Sequence, residues 1–246
     1  MLPPPAVVDA PLATAPRLAW ARAIAREDPS LAEFIVASID ALRWTIQARG
    51  DTPEGDALTT RAARMFRANR ARWEPVEEGV KFGFVRGAPE QVRVTTDRWR
   101  AARSGLRARY PVLHLDAVGP GRDLVGQLNG LLSLALQGEQ TLADVEALAE
   151  DPAFAELRWL DLSGTGLGLA AVERVAAREK HLRYLGFEHN PEGSPTAWWT
   201  DGDGALTPTG GGVTPRPEWA AREWLGVPTF KCAVSLPQLY YPYNDL

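Results

Sequence analysis

The chain has 246 residues, one cysteine, nine tryptophans and a formal charge of −4. That length buries a core without staples, and the lone Cys232 excludes an internal disulfide framework and reads as a small buried hydrophobe. Residues 1–9 lack the basic n-region and unbroken apolar core of a signal peptide, and no stretch approaches the ~20 apolar residues of a membrane span, so a cytoplasmic protein is expected.

After a Pro-rich lead, a first helix is expected from about Pro16, capped by Asp9 or Thr14, with Leu18, Trp20, Ala21, Ile24 and Ala25 as its stripe. Asp28-Pro29-Ser30 is read as its stop. Leu31, Phe34, Ile35, Ile39, Leu42 and Ile46 then fall on one face at period 3.6, ended by Gly50-Asp51-Thr52-Pro53. A third helix, from about Glu54 to Trp73, sets Leu58, Ala62, Met65, Phe66 and Trp73 against Arg61, Arg64, Arg67 and Arg72. Residues 1–78 thus read as a helical unit.

The period then changes. Val80, Phe82 and Phe84 alternate with polar or small residues, Val92-Arg93-Val94 alternates again after Gly87-Ala88-Pro89, and Asp97 opens a helix with Trp99, Ala102 and Leu106 inward. Residues 79–110 read as a βα element that caps the adjoining repeat segment.

Residues 111–190 carry that repeat. Leu157-Arg158-Trp159-Leu160-Asp161-Leu162-Ser163-Gly164-Thr165-Gly166-Leu167 fits the leucine-rich-repeat pattern L-x-x-L-x-L-x-x-N-x-L at every leucine and departs only at the Asn position, Thr165. Leu134/Leu136 precede it and Leu185/Phe187 come after it, at steps of 26 and 25 residues between first leucines. A fainter copy, Val112-Leu113-His114-Leu115-Asp116, lies 21 residues before Leu134. Helical spacing in 141–149 and 170–176 completes strand-plus-helix units. The expected fold class is α/β, a short leucine-rich-repeat solenoid whose leucine face no unit buries alone.

Residues 191–246 are rich in Pro and Gly yet carry Trp198, Trp199, Trp219, Trp224, Phe230, Tyr240, Tyr241 and Tyr243, too many aromatics for a disordered tail. They read as a C-terminal cap, with a hairpin over 199–206 and a short helix over 217–225, or else, at 239–243, as a docking peptide.

Ala15-Pro16-Arg17-Leu18-Ala19-Trp20-Ala21, Asp28-Pro29, Ala32-Glu33-Phe34-Ile35, Arg70-Ala71-Arg72-Trp73, Phe84-Val85 and Val92-Arg93-Val94 resemble the bacterial repeat-companion domain, a module found ahead of leucine-rich repeats. The resemblance spans about residues 12–190. It implies a protein-interaction scaffold and supplies no catalytic residue. Trp20-Ala21-Arg22-Ala23-Ile24 departs from the family, which more often has an acidic and aromatic pair there.

Chemical motifs are sparse. Gly164-Thr165-Gly166-Leu167-Gly168 has G-x-G-x-G spacing rather than that of a dinucleotide loop, and the turn of a repeat accounts for it. Asp201-Gly202-Asp203-Gly204 offers too few carboxylates for calcium, and His181 and His189 lack companions at metal-ligand spacing. No nucleophile, base and orienting group can be named together, so neither an enzyme nor a cofactor, metal or small-molecule substrate is expected.

Two binding surfaces remain. With the leucines inward, three outward columns are expected: Val112, Ser133, Trp159 and Tyr184; His114, Ala135, Asp161 and Gly186; Asp116, Gln137, Ser163 and Glu188. Trp159 beside Tyr184, rimmed by Asp161 and Glu188, has the makeup of a partner-binding hot spot, unless the aromatic C-terminal segment covers it. The expected function is a non-catalytic adaptor or recognition subunit that binds another protein on this concave face. The alternative lies in residues 61–109, where 13 Arg or Lys stand against 5 Asp or Glu, a local +8. There Arg61, Arg64, Arg67, Arg70 and Arg72 could meet nucleic acid or an acidic partner, or form an ordinary solvated face.

Overall fold

The fold is that of a computed structural model, which describes residues 1–44, 53–178, 182, 184–187, 190, 197–199 and 207–209. Four helices come first: α1 (Pro5–Asp9), α2 (Thr14–Ile24), α3 (Pro29–Trp44) and α4 (Pro53–Trp73). The strands β1 (Val80–Val85) and β2 (Ala88–Thr95) come next, then α5 (Thr96–Arg109), β3 (His114–Val118), β4 (Ser133–Gln137), α6 (Leu142–Ala149), β5 (Trp159–Asp161), α7 (Leu169–Arg178), β6 (Tyr184–Gly186), β7 (Ala197–Trp199) and β8 (Thr207–Thr209). All the strands form one sheet in chain order, parallel from β2 to β6 and antiparallel at β1/β2, β6/β7 and β7/β8. The protein is therefore α/β with a mostly parallel sheet.

Asp28 does more than stop a helix. Its carboxylate accepts the backbone N–H of Leu31 at 3.0 Å, so Asp28-Pro29 opens α3, with proline in the first turn, where its missing N–H costs nothing. The same carboxylate accepts from Arg72 at 2.6 Å and from the Trp73 indole at 3.3 Å, tying the end of α4 to the start of α3. Phe34 stacks on Trp73, with ring centroids 5.0 Å apart, and Phe66 meets Phe84 of β1 at 4.8 Å. One apolar core consequently runs from the helices into the sheet, across the boundary read at residues 78/79.

The β1–β2 turn is fixed from outside. Arg86 and Gly87 both have positive φ, 50° and 78°, and a Cβ on Gly87 would lie 2.5 Å from Ile35 of α3, so only glycine fits there. Arg86, itself buried, holds its strained conformation through the buried Glu90 carboxylate, which accepts from it at 2.5 Å, and through the carbonyls of Leu12 and Pro11, which accept at 2.9 and 2.8 Å. Arg17 of α2 reaches the same Glu90 carboxylate at 3.0 Å, and burial, offset by Glu90, lowers its pKa to about 10.

The parallel strands are in strict register. Val92, Leu115, Leu134, Leu160 and Leu185 form one row, and all are buried. They join Trp99 and Leu106 of α5, Val145 and Leu148 of α6, and Val172 and Val175 of α7 in the shared core. Full burial of one leucine side chain contributes roughly 1.5–3 kcal/mol. The first of the strands expected as repeat copies differs from the sequence expectation: β3 begins at His114, and its inward pair is Leu115/Ala117 rather than Leu113/Leu115. Ala117 is fully buried in the second leucine's place, while Leu113 is buried in the approach to the strand, its carbonyl accepting from Leu132 and Ser133.

Beyond the strands, polar groups link segments 19 to 28 positions apart. Asn190 donates to Leu162 O at 2.8 Å and accepts from Gly166 N at 2.8 Å, and Thr165 O accepts from Gln140 N at 2.9 Å. The Gln140 side chain in turn binds Gly119 O and Gly121 N, at 2.9 and 2.8 Å. Thr165 thus stands inside a polar ladder rather than breaking it. The N–H of Gly166 is spent on Asn190, which agrees with reading this glycine stretch as a structural turn. Thr141 and Asp144 form a reciprocal capping box at the start of α6.

The expected hairpin over 199–206 falls between β7 and β8, with its loop outside the described residues. The same holds for Ile46, His181, Glu188, His189, the Asp201-Gly202-Asp203-Gly204 motif, the helix over 217–225, Cys232 and the 239–243 segment.

Candidate functional site

Because side chains alternate across a strand, the positions between the leucines share the opposite face of the sheet. One row there reads Gly83, Gln91, His114, Ser133, Trp159 and Tyr184; the next reads Lys81, Arg93, Asp116, Ala135, Asp161 and Gly186. Val118 pairs with Gln137 in a third.

This corrects the columns read from sequence. His114, not Val112, stands beside Ser133; Asp116 stands beside Ala135, not Gln137. The remaining members, Ser133 with Trp159 and Tyr184, and Ala135 with Asp161 and Gly186, lie side by side as expected. Glu188 is outside the described residues, and for Tyr184 only the backbone position is described. Gln91 and Arg93 belong to the same rows and were missed, although carrying the alternation back through Val92-Arg93-Val94 would have found them.

The corrected register brings chemistry together. His114 Nδ1 lies 2.8 Å from Ser133 Oγ, and the Arg93 guanidinium lies 3.7 Å from Asp116. His114 and Asp116 are nine-tenths buried or more, and Nε2 of the one and Oδ1 of the other have no hydrogen-bond partner among the described residues. Burial, with a smaller push from Arg86, drives the His114 pKa down to about 3. Burial raises Asp116 to about 6; Arg93 and a Gln137 hydrogen bond oppose this, and the Asp161 charge adds to it. Trp159 is buried, whereas Ser133, Ala135, Gln137 and Asp161 stay partly exposed and Val118 is exposed. Asp161 accepts the N–H of Ser163 at 2.9 Å.

The arginines of α4 are differently placed. Arg61 pairs with Glu33, Arg70 with Glu74 at 2.6 Å and Arg72 with Asp28 at 2.6 Å, while Arg64 and Arg67 are exposed. Farther along the basic region, Arg109 pairs with Glu77 and Arg100 faces Asp97 and Asp123. Much of the apparent positive field is thereby met by acidic neighbours.

Among the described residues, no group of three or more His, Cys, Asp or Glu is placed to hold a metal ion, and no helix is long and apolar enough to cross a membrane. No protein-family model matches the chain, and neither a curated protein nor a solved structure shows significant similarity to it.

Proposed function

We propose that the chain is a non-catalytic interaction module, an adaptor or recognition subunit of a bacterial cytoplasmic assembly, built as a short leucine-rich-repeat solenoid that holds a protein partner on its polar sheet face. The observation that carries this reading is the in-register polar face itself, where Ser133 and Ala135 stay open between His114/Asp116 and Trp159/Asp161. Large aromatic and charged groups around small, accessible ones suit recognition of another protein. The repeat interpretation is supported by the aligned Leu115, Leu134, Leu160 and Leu185 and by the side-chain ladder between units. The resemblance to the repeat-companion domain points the same way.

Catalysis is the weaker reading. His114 faces Ser133, but a base whose pKa lies near 3 takes a hydroxyl proton poorly at neutral pH, and its other ring nitrogen has no orienting carboxylate among the described residues. Nucleic-acid binding through residues 61–109 is weakened by the ion pairs of Arg61, Arg70, Arg72 and Arg109. The test is affinity capture with the full chain from its native host. Trp159→Ala combined with Tyr184→Ala is expected to lose the specific protein partners that wild type retains; retention of every partner contradicts the assignment.

A further inference from the structure

The polar face is not flat. Along β4 the outward residues are Ser133 and Ala135, both small, and then the longer Gln137 at the strand's end, whereas β3 presents His114 and Asp116 and β5 presents Trp159 and Asp161 beside the small pair. With strands ~4.8 Å apart, this leaves a trough about two strand spacings wide, floored by β4 and walled by β3 and β5. The floor is partly exposed and Asp161 is partly exposed, so the trough opens to solvent.

We infer that this trough receives a cationic side chain, an arginine or a lysine, presented by a protein partner. The inference rests on the partner-binding reading above and names the chemistry of that partner. Two carboxylates, Asp116 and Asp161, flank Ala135 in one row, each one strand away from it. They interact repulsively with each other, and although Gln137 at the end of β4 hydrogen-bonds the Asp116 carboxylate, its Oδ1 is buried with no hydrogen-bond partner among the described residues. A buried acceptor in that condition is destabilising until a donor reaches it. Arg93 meets the other Asp116 oxygen from the β2 side, which leaves the β4 side of the row without a cation, because Ala135 supplies none. An ammonium or guanidinium above Ala135 would lie between both carboxylates, and its alkyl stem would run along Ser133 beside Trp159. Arginine fits better than lysine, since its planar fork can donate to both walls at once.

The experiment uses the full chain and a set of blocked hexapeptides identical except at one position, which is arginine, citrulline, lysine, norleucine or glutamate. Binding is followed by the NMR shift of the Trp159 indole N–H, assigned with Trp159→Phe. The arginine and lysine peptides are expected to shift that signal and to bind at least about 10-fold more tightly than the citrulline, norleucine and glutamate peptides. Asp161→Asn, which keeps the acceptor for Ser163 N, and Ala135→Leu, which fills the trough, are each expected to erase the preference. Equal binding of citrulline and arginine overturns the inference, as does an arginine preference that survives both variants, or no binding of any peptide. Citrulline or norleucine peptides that shift Trp159 as strongly as arginine would leave the polar face a docking surface and refute only its cationic ligand.

Discussion

Nδ1 of His114 lies 2.8 Å from Oγ of Ser133 on the neighbouring strand, a contact between side chains 19 positions apart that exists only because β3 begins at His114. It sets the histidine's role. An imidazole held neutral by burial and hydrogen-bonded to a hydroxyl is a positioned wall of the polar face, with Asp116 beside it on the same strand. The opposed pKa shifts of these two groups make their presence measurable.

Asp116, raised from 3.8 to about 6, contributes stability that is fully present below pH 3.8 and lost as pH rises through about 6. His114, lowered from 6.5 to about 3, contributes stability present above pH 6.5 and lost as pH falls toward 3. In the intervening range the two oppose each other. Asp116→Asn should therefore gain stability relative to wild type as pH rises from 3.8 to 6, and His114→Gln should gain relative to wild type as pH falls below 6.5. By linkage the difference should approach roughly 3 kcal/mol for Asp116 and roughly 5 kcal/mol for His114 across the full window. Urea denaturation midpoints across pH 3–8 provide the check, and parallel curves for all three proteins would contradict it.

Glu90 is buried between Arg17 and Arg86. Glu90→Gln leaves two guanidiniums inside the protein without a countercharge, so a loss of about 3–5 kcal/mol is expected by chemical denaturation. A loss below about 1 kcal/mol would show that the triad is solvated.

Asn190 satisfies the carbonyl of Leu162 and the N–H of Gly166 from within the core. Asn190→Ala strands the Gly166 N–H, while Leu162 O keeps the Thr165 hydroxyl as a donor, for an expected cost of about 1–3 kcal/mol. Hydrogen exchange should show the Gly166 amide losing protection while amides in α3 keep theirs.

Leu160 is fully buried in the central row, so Leu160→Ala should cost about 2–5 kcal/mol, whereas the exposed Val118→Ala should change stability by less than about 0.5 kcal/mol. A larger loss at Val118 than at Leu160 would mean that the two faces of the sheet had been assigned in reverse.

Much of this fold is legible in the sequence because its signals are local. The apolar stripe of α3, the hairpin alternation and the leucine pairs at 134, 160 and 185 each lie within a few residues of themselves, and all three emerge as elements in the expected places. What escaped has two physical sources. The first is degeneracy: Leu113, Leu115 and Ala117 are all buried, and a pattern weighted toward leucine selects the wrong pair, which displaces His114 and Asp116 by one row position. The second is distance along the chain. The contacts of Arg86 with Leu12 and Pro11 span 74 and 75 positions, and Asp28 reaches Trp73 across 45, so nothing local marks them. The candidate site shared the first fault alone: its residue types were readable, whereas the trough along β4 required the corrected register.

The central claim, that the polar sheet face is where another protein is held, is tested most directly by photocrosslinking in native cells. A benzophenone side chain is placed at Val118, on the exposed rim of that face, and in a second sample at Glu173, on the exposed side of α7. The account predicts a protein adduct from position 118 that disappears with Trp159→Ala, and none of that adduct from position 173. Protein adducts from position 173 alone, or an adduct at 118 indifferent to Trp159→Ala, would contradict it.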